Sequence, residues 1–263
     1  MVEIVTQKQA RAIRNLSFCY LCGSKFDSGE KPSEDHVPPE CMFLKEDHNF
    51  PIIMMVHPRC NADWSINDEK VGLLISLLHG KDISKHRSKY EVAIAADENK
   101  QPLFPLLGGI PLKPMICRIL RAFHAALYHE YLPLGTRNSI LTPIPEAEFI
   151  NGHVRVKPVL PQFQVFSKTL RKSMQTKTTD KIVANNGKLR YECCWIKSDD
   201  GRQNICVFGL RIYDWSKLGN EISSEEYACV GAYMSASRPE LATRGSQLHI
   251  FLPKGMALDP FTC

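Results

Sequence analysis

The sequence predicts an α+β protein in which a small N-terminal module precedes helices and a mainly antiparallel β part. Two observations on the 263 residues favour this class. Apolar residues recur at helical spacing over residues 114–132. Strand-length apolar runs, separated by Gly, Asn, Asp and Ser, occupy the last third of the chain. We therefore expect a first module at residues 1–80 and a second part at residues 81–263.

In the first module we expect the order helix, strand, strand, helix. A short periodic stretch at residues 9–16 predicts the leading helix. Residues 25–49 are rich in turn formers and predict a long loop, interrupted by a brief extended piece at residues 35–37. Two prolines end that piece, because they lack the amide hydrogen that a β-ladder needs. The apolar run 51–56 has strand length, and residues 61–78 show the spacing of a helix.

The second part begins with the helix at residues 114–132, which prolines flank at both ends. Residues 133–161 contain several prolines and predict an irregular connector. Four strands of an antiparallel sheet are predicted after it, at residues 189–196, 205–213, 227–234 and 248–252.

Composition and charge exclude several classes of function. No apolar run has the length of a membrane span, and the N-terminus lacks the apolar stretch of a secretory signal, so we expect a cytoplasmic protein. The ten cysteines are too scattered for a disulfide framework. The sequence contains no glycine-rich phosphate-binding signature, so we do not expect nucleotide hydrolysis. The net charge of +5 is mild, but residues 168–190 are strongly basic and either neutralise phosphates or form a solvated loop.

Cys19 and Cys22 form one candidate pair of metal ligands, and His57 and Cys60 form a second pair. Two residues separate the members of each pair, a spacing at which a tight turn can direct both side chains at one ion. Three thiolates and an imidazole suit tetrahedral Zn²⁺. The sequence therefore predicts a structural zinc ion that joins the first turn to the start of the helix at residues 61–78. Chance spacing of ordinary cysteines is the alternative.

Asp35 and His36, followed by two prolines, lie between these pairs, and Asn61 directly follows the last candidate ligand. In these features residues 18–69 resemble the HNH, or His-Me finger, endonucleases. Their ββα-metal site carries an Asp-His pair, a middle Asn and a final His or Asn. The resemblance identifies Asn49 as the middle residue and implies a zinc-stapled ββα-metal finger of the H-N-N variant.

The resemblance also implies a role for each residue of the site. His36 is expected to be the general base that activates water, because an imidazole titrates near neutral pH. Asp35 and Asn61 are expected to hold a catalytic Mg²⁺ or Mn²⁺, since such hard cations prefer oxygen ligands. This cation would offset the charge that develops on the phosphate during hydrolysis.

Two points of the resemblance stay open in the sequence. Asn49 is expected to position the loop or His36 by hydrogen bonding. His48 and Asn67 are the alternatives for this role. Adjacent residues on a regular strand point to opposite faces. Asp35 and His36 can therefore serve one site only if the strand bends or ends there.

The resemblance implies a metal-dependent endonuclease that cuts DNA, most simply duplex DNA, in restriction or anti-phage defence. Such a finger grips the backbone and reads few bases. Residues 81–263 are therefore expected to supply targeting, oligomerisation or control, with a second copy or a regulatory protein as partner. The alternative is a non-catalytic zinc-stabilised module that binds nucleic acid or protein, which would give Asp35, His36 and Asn61 no joint task.

Overall fold

The computed structural model describes residues 1–78, 91–96, 102–108, 112–142, 147–150, 153–156, 161–176, 179–197, 204–212, 227–235 and 259–260. As predicted, the chain combines helices with a mainly antiparallel sheet. The helices described are α1 (Gln7–Ala12), α2 (Pro58–Ala62), α3 (Ser65–Leu78), α4 (Leu112–Tyr128) and α5 (Pro161–Thr176). The helix predicted at residues 61–78 is thus two helices, α2 and α3. No helix in this part of the chain has the length and apolar character of a bilayer-crossing segment.

The described strands are β1 (Glu3–Ile4), β2 (Ser33–His36), β3 (Ile53–Val56), β4 (Glu91–Ala96), β5 (Pro102–Gly108), β6 (Arg137–Leu141), β7 (Ala147–Ile150), β8 (His153–Val156), β9 (Asp180–Ala184), β10 (Leu189–Lys197), β11 (Asn204–Ile212), β12 (Cys229–Ser235) and β13 (Asp259–Pro260). Seven of them form one sheet in the order β1-β9-β10-β11-β12-β6-β13. Among the described strands, only β1 and β9 pair in parallel. The pairs β2-β3, β4-β5 and β7-β8 form separate antiparallel hairpins.

Three of the predicted sheet strands are confirmed, as β10, β11 and β12. The fourth, at residues 248–252, lies outside the described residues. The irregular connector predicted at residues 133–161 is wrong in part, because it contains β6, β7 and β8. Helix α5 was not predicted.

Helices cover both faces of the large sheet. On one face, the ring of Phe123 in α4 lies 5.1 Å from the ring of Tyr191. On the other face, α5 packs through apolar residues such as Phe166. Successive residues of β10 therefore belong to different cores, Cys193 to the side of α4 and Cys194 to the side of α5.

The hairpin β2-β3 and the helices after it share the core of α4 and the sheet. Val56, Val71 and Ile119 belong to one continuous buried cluster. Strand β1 extends the sheet, and the backbone amide of Met55 donates to the carbonyl of Arg14 at 3.0 Å. The N-terminal segment thus joins the hairpin to the sheet. The division at residue 80 stays a prediction, and the apolar core is continuous across it.

Candidate metal centre and Asp-His site

The four predicted metal ligands lie together. The ligand atoms of Cys19, Cys22, His57 and Cys60 are all within 4.8 Å of one another. Zn–S bonds of about 2.3 Å and a Zn–N bond of about 2.0 Å place tetrahedral ligand atoms roughly 3.5–3.8 Å apart. Small adjustments would therefore let the cluster hold such an ion. Three sulfur atoms and one imidazole nitrogen are a donor set that fits Zn²⁺.

Local backbone geometry presents each pair of ligands. The amide of Gly23 donates to the carbonyl of Cys19 at 2.8 Å, and the amide of Cys19 donates to the carbonyl of Ser24 at 2.9 Å. Gly23 has a φ of 82°, a left-handed conformation that glycine adopts without a Cβ clash. His57 is the N-cap of α2, with a proline at the first helical position and Cys60 within the first turn.

The thiols of the cluster influence one another's pKa values. Burial acts to raise the pKa of Cys22, but hydrogen bonds involving Ser24, Cys19 and His57 outweigh it and lower the pKa to about 7. Burial, followed by the charges of Cys19 and Cys22, raises the pKa of Cys60 to about 12. Three thiolates at this spacing repel one another, and a divalent cation between them would offset that repulsion.

Asp35 lies in the core. Its side chain is 3% exposed, and its carboxylate contacts the guanidinium of Arg118 and accepts a hydrogen bond from the hydroxyl of Tyr20. Arg118 also pairs with Asp68 and lies 5.0 Å from the centroid of the Trp64 ring. Burial raises the pKa of Asp35, although Arg118 and Tyr20 oppose this effect. The Asp35 carboxylate is therefore one part of a buried ionic network.

Asn61 approaches β2 from the face that carries Asp35. Its amide nitrogen donates to the hydroxyl of Ser33 at 2.9 Å and to the carbonyl of Glu34 at 3.0 Å. Ser33 and Asp35 share a face because side chains alternate along a strand. By the same alternation His36, which is half-buried, faces the other side. The structure thus brings Asn61 to the Asp-His strand but directs the Asp35 and His36 side chains to opposite faces.

Asn49 contacts the turn between β9 and β10. Its side-chain amide nitrogen donates to the side-chain oxygen of Asn186 at 2.9 Å, and the side-chain amide nitrogen of Asn186 donates to the carbonyl of Glu46 at 2.8 Å. The backbone amide of Asn185 donates to the carbonyl of Asn49 at 3.0 Å. Asn185 and Asn186 have φ values of 53° and 54°, a region where asparagine is enriched. These contacts fix the loop before β3 against the sheet.

The two alternatives for the middle residue lie elsewhere. The imidazole of His48 contacts the carboxylate of Glu40 at 3.0 Å and the carbonyl of Phe43 at 3.2 Å. Asn67 lies in the first turn of α3, where its backbone amide donates to the carbonyl of Trp64 at 2.9 Å. His48 is thus held within its own loop, and Asn67 is placed on a helix.

Two buried arginines on α4 contact the Asp-His strand and the cysteine turn. Neither was predicted from the sequence. Arg118 binds Asp35, while Arg121 donates to the backbone carbonyls of Tyr20 and Leu21 in the turn between the first two cysteines. Their exposed fractions are 0% and 1%. The available signal was two arginines, three residues apart, in a stretch that is otherwise apolar from residue 114 to residue 123. Arginine enters a core almost only when it is paired.

The residues predicted to hold a hard cation do not fit that ion as they are arranged. Both carboxylate oxygens of Asp35 already have partners, and the side chain is almost inaccessible. Mg²⁺ gives up its water ligands reluctantly and needs an open site. The amide nitrogen of Asn61 is engaged with β2, so only its oxygen would be offered to a cation.

Comparison of the chain with protein families, with curated proteins and with solved structures finds no match. The resemblance to HNH endonucleases therefore depends on the Asp-His strand, Asn49, Asn61 and the metal-ligand pairs alone.

Proposed function

We propose that the chain is a zinc-stapled HNH-type endonuclease that hydrolyses phosphodiester bonds in duplex DNA, with His36 as general base. One observation supports the proposal above the others. Asn61, the residue after the ligand Cys60, is hydrogen-bonded to β2 directly before Asp35 and His36. A metal at the cluster would therefore fix the position of the helix that carries Asn61 relative to the strand that carries His36.

His36 supplies the acid-base chemistry in this proposal. Its half-buried side chain ends β2, so its imidazole is accessible to a water molecule and a phosphate. In the neutral form it takes a proton from the water whose oxygen attacks phosphorus, while the bond from phosphorus to the departing oxygen breaks. Mg²⁺ or Mn²⁺ would neutralise charge on the phosphate. Asp35 would have to leave Arg118 and Tyr20 before it could hold such a cation.

Nucleic acid as the partner is supported by the charge of α5. This helix contains no acidic residue, and its lysines Lys168 and Lys172 are exposed. Exposed basic side chains of this kind can neutralise phosphates of a nucleic-acid backbone. DNA rather than RNA, a role in restriction or anti-phage defence, a cytoplasmic location, and a second copy or regulator as partner are parts of the proposal that follow from the resemblance alone.

A second candidate is a non-catalytic zinc-stabilised module that binds nucleic acid or protein. The ionic network around Asp35 favours it, since a buried carboxylate paired with Arg118 has a structural task of its own. In that case the acidic residue on the same face of β2 as His36 is Glu34, which pairs with Arg14, and the Asp-His sequence has no catalytic role.

A plasmid-nicking assay with Mg²⁺ or Mn²⁺ separates the two candidates. His36→Ala should reduce the cutting rate by about 10²–10⁴-fold, the usual contribution of a positioned general base. The matched control is His129→Ala, because His129 is exposed just after α4 and should be dispensable. Unaltered cutting by His36→Ala would remove the assignment of the base. A wild-type protein that binds DNA but does not nick it with either metal would support the binding module.

A further inference from the structure

Glu30 contacts the imidazole of His57 on the side opposite the cysteines. The Nδ1 atom of His57 lies 3.3 Å from the Sγ atom of Cys22, inside the cluster. The Nε2 atom lies 3.4 Å from the Oε2 atom of Glu30. The side chains of His57 and Glu30 are 14% and 31% exposed, so the contact is shielded from most of the solvent. One ring nitrogen thus faces the sulfur atoms and the other faces a carboxylate.

This arrangement determines which nitrogen can bind a metal. A neutral imidazole carries its hydrogen on one nitrogen and offers a lone pair on the other. A carboxylate beside Nε2 favours the tautomer with the hydrogen there, which leaves Nδ1 free to bind the ion. Carboxylates in this outer position also fix the ring orientation of metal-binding histidines and raise their basicity.

The loop that carries Glu30 restricts the ring from a second direction. The centroid of the Phe26 ring lies 5.0 Å from that of the His57 ring, with 49° between the ring planes. The backbone amide of Glu30 donates to the carbonyl of Asp27 at 3.2 Å, which closes the turn between Phe26 and Glu30. One short turn therefore places an aromatic ring and a carboxylate against the same imidazole.

We propose that Glu30 is a positioning residue for the metal centre, which directs Nδ1 of His57 to the ion and thereby tightens metal binding. The inference depends on the Cys19, Cys22, His57 and Cys60 cluster holding a metal ion and is independent of nuclease activity. It predicts ligation through Nδ1, with Nε2 protonated and bound to Glu30.

Metal titration of the full-length protein tests the affinity. Zn²⁺ and Co²⁺ alone are the probes, with a competing chelator and the cobalt–thiolate absorption as readouts. Glu30→Ala should weaken binding by about 10–100-fold, as loss of such an outer carboxylate typically does. Glu30→Gln, which keeps an acceptor oxygen, should lose less. The matched control is Glu40→Gln, because Glu40 makes a similar contact with His48, away from the cluster, and should keep wild-type affinity.

The tautomer is tested directly by NMR of the zinc-loaded protein with ¹⁵N-labelled histidine. The wild type should show zinc on Nδ1 and hydrogen on Nε2 of His57. Zinc on Nε2, or a Glu30→Ala variant that binds Zn²⁺ as tightly as the wild type, would overturn the proposal. A wild-type protein that binds neither metal would show that the cluster is not a metal site, which would also overturn the proposal. If Glu30→Ala does not fold, the metal affinity of Glu30→Gln and the ¹⁵N spectrum of the wild type still test the proposal.

Discussion

Replacing Arg118 by methionine tests whether the ion pair with Asp35 is structural. The guanidinium is fully buried and contacts Asp35, Asp68 and Tyr20, so its removal leaves a carboxylate that is 3% exposed without its counter-charge. Removing one partner of a buried ion pair costs about 3–5 kcal/mol. We therefore expect Arg118→Met to lower the free energy of unfolding by about that amount, which is a large part of the roughly 5–15 kcal/mol typical of a domain.

Urea unfolding at neutral pH measures the effect, and a double variant identifies its cause. Arg118→Met combined with Asp35→Asn carries neither charge and should recover about 2–3 kcal/mol, the coupling expected for residues in one network. Arg59→Met is the control, because Arg59 is exposed on α2 and its replacement should change stability by about 0.5 kcal/mol or less. A loss below about 1 kcal/mol in Arg118→Met, or no recovery in the double variant, would refute the reasoning.

Two further predictions concern the metal and pH. Cys60→Ser removes one sulfur ligand and should lower zinc content and Tm together, because a structural metal contributes folding free energy; a wild-type Tm unaffected by a chelator would contradict this. Burial, opposed by Arg118, raises the pKa of Asp68 to about 6. A carboxyl whose pKa is higher in the folded state stabilises the fold below pH ~4 and loses that contribution as pH rises to about 6. In Asp68→Asn, the free energy of unfolding in urea should no longer fall by this amount, at most roughly 3 kcal/mol, between pH 4 and pH 7. If the free energy of unfolding falls with pH in the variant as it does in the wild type, the result would argue against this role of Asp68.

The metal cluster could be predicted because its information is local. Each pair of ligands is separated by two residues, and spacing alone indicates that its members can meet at one ion. The Asp35 network could not be predicted in the same way. Arg118 lies 83 residues from Asp35, and helical periodicity does not say which group a buried arginine will meet. The resemblance assigned Asp35 to a cation, whereas the fold supplies a guanidinium.

The sheet was predicted only where its strands differ clearly from their surroundings. β10, β11 and β12 are apolar runs buried on both faces and bounded by turn residues. Helix α5 was missed because the polar side chains of its exposed face dominate its composition. Its buried residues Phe163, Phe166 and Leu170 do repeat at helical spacing, and the partly buried Met174 continues the pattern. β6 was missed because it lies among prolines.

Helix α4 sets the distance between two chemically different sites. Arg118 holds the Asp-His strand and Arg121 holds the cysteine turn, and three residues of helix separate them by about 4.5 Å along its axis. One residue inserted between the two arginines would rotate one of them by about 100° relative to the other and move it out of its site. The length of α4 between these positions is therefore fixed by the Asp-His strand and the cysteine turn that the two arginines contact, although α4 lies outside residues 18–69.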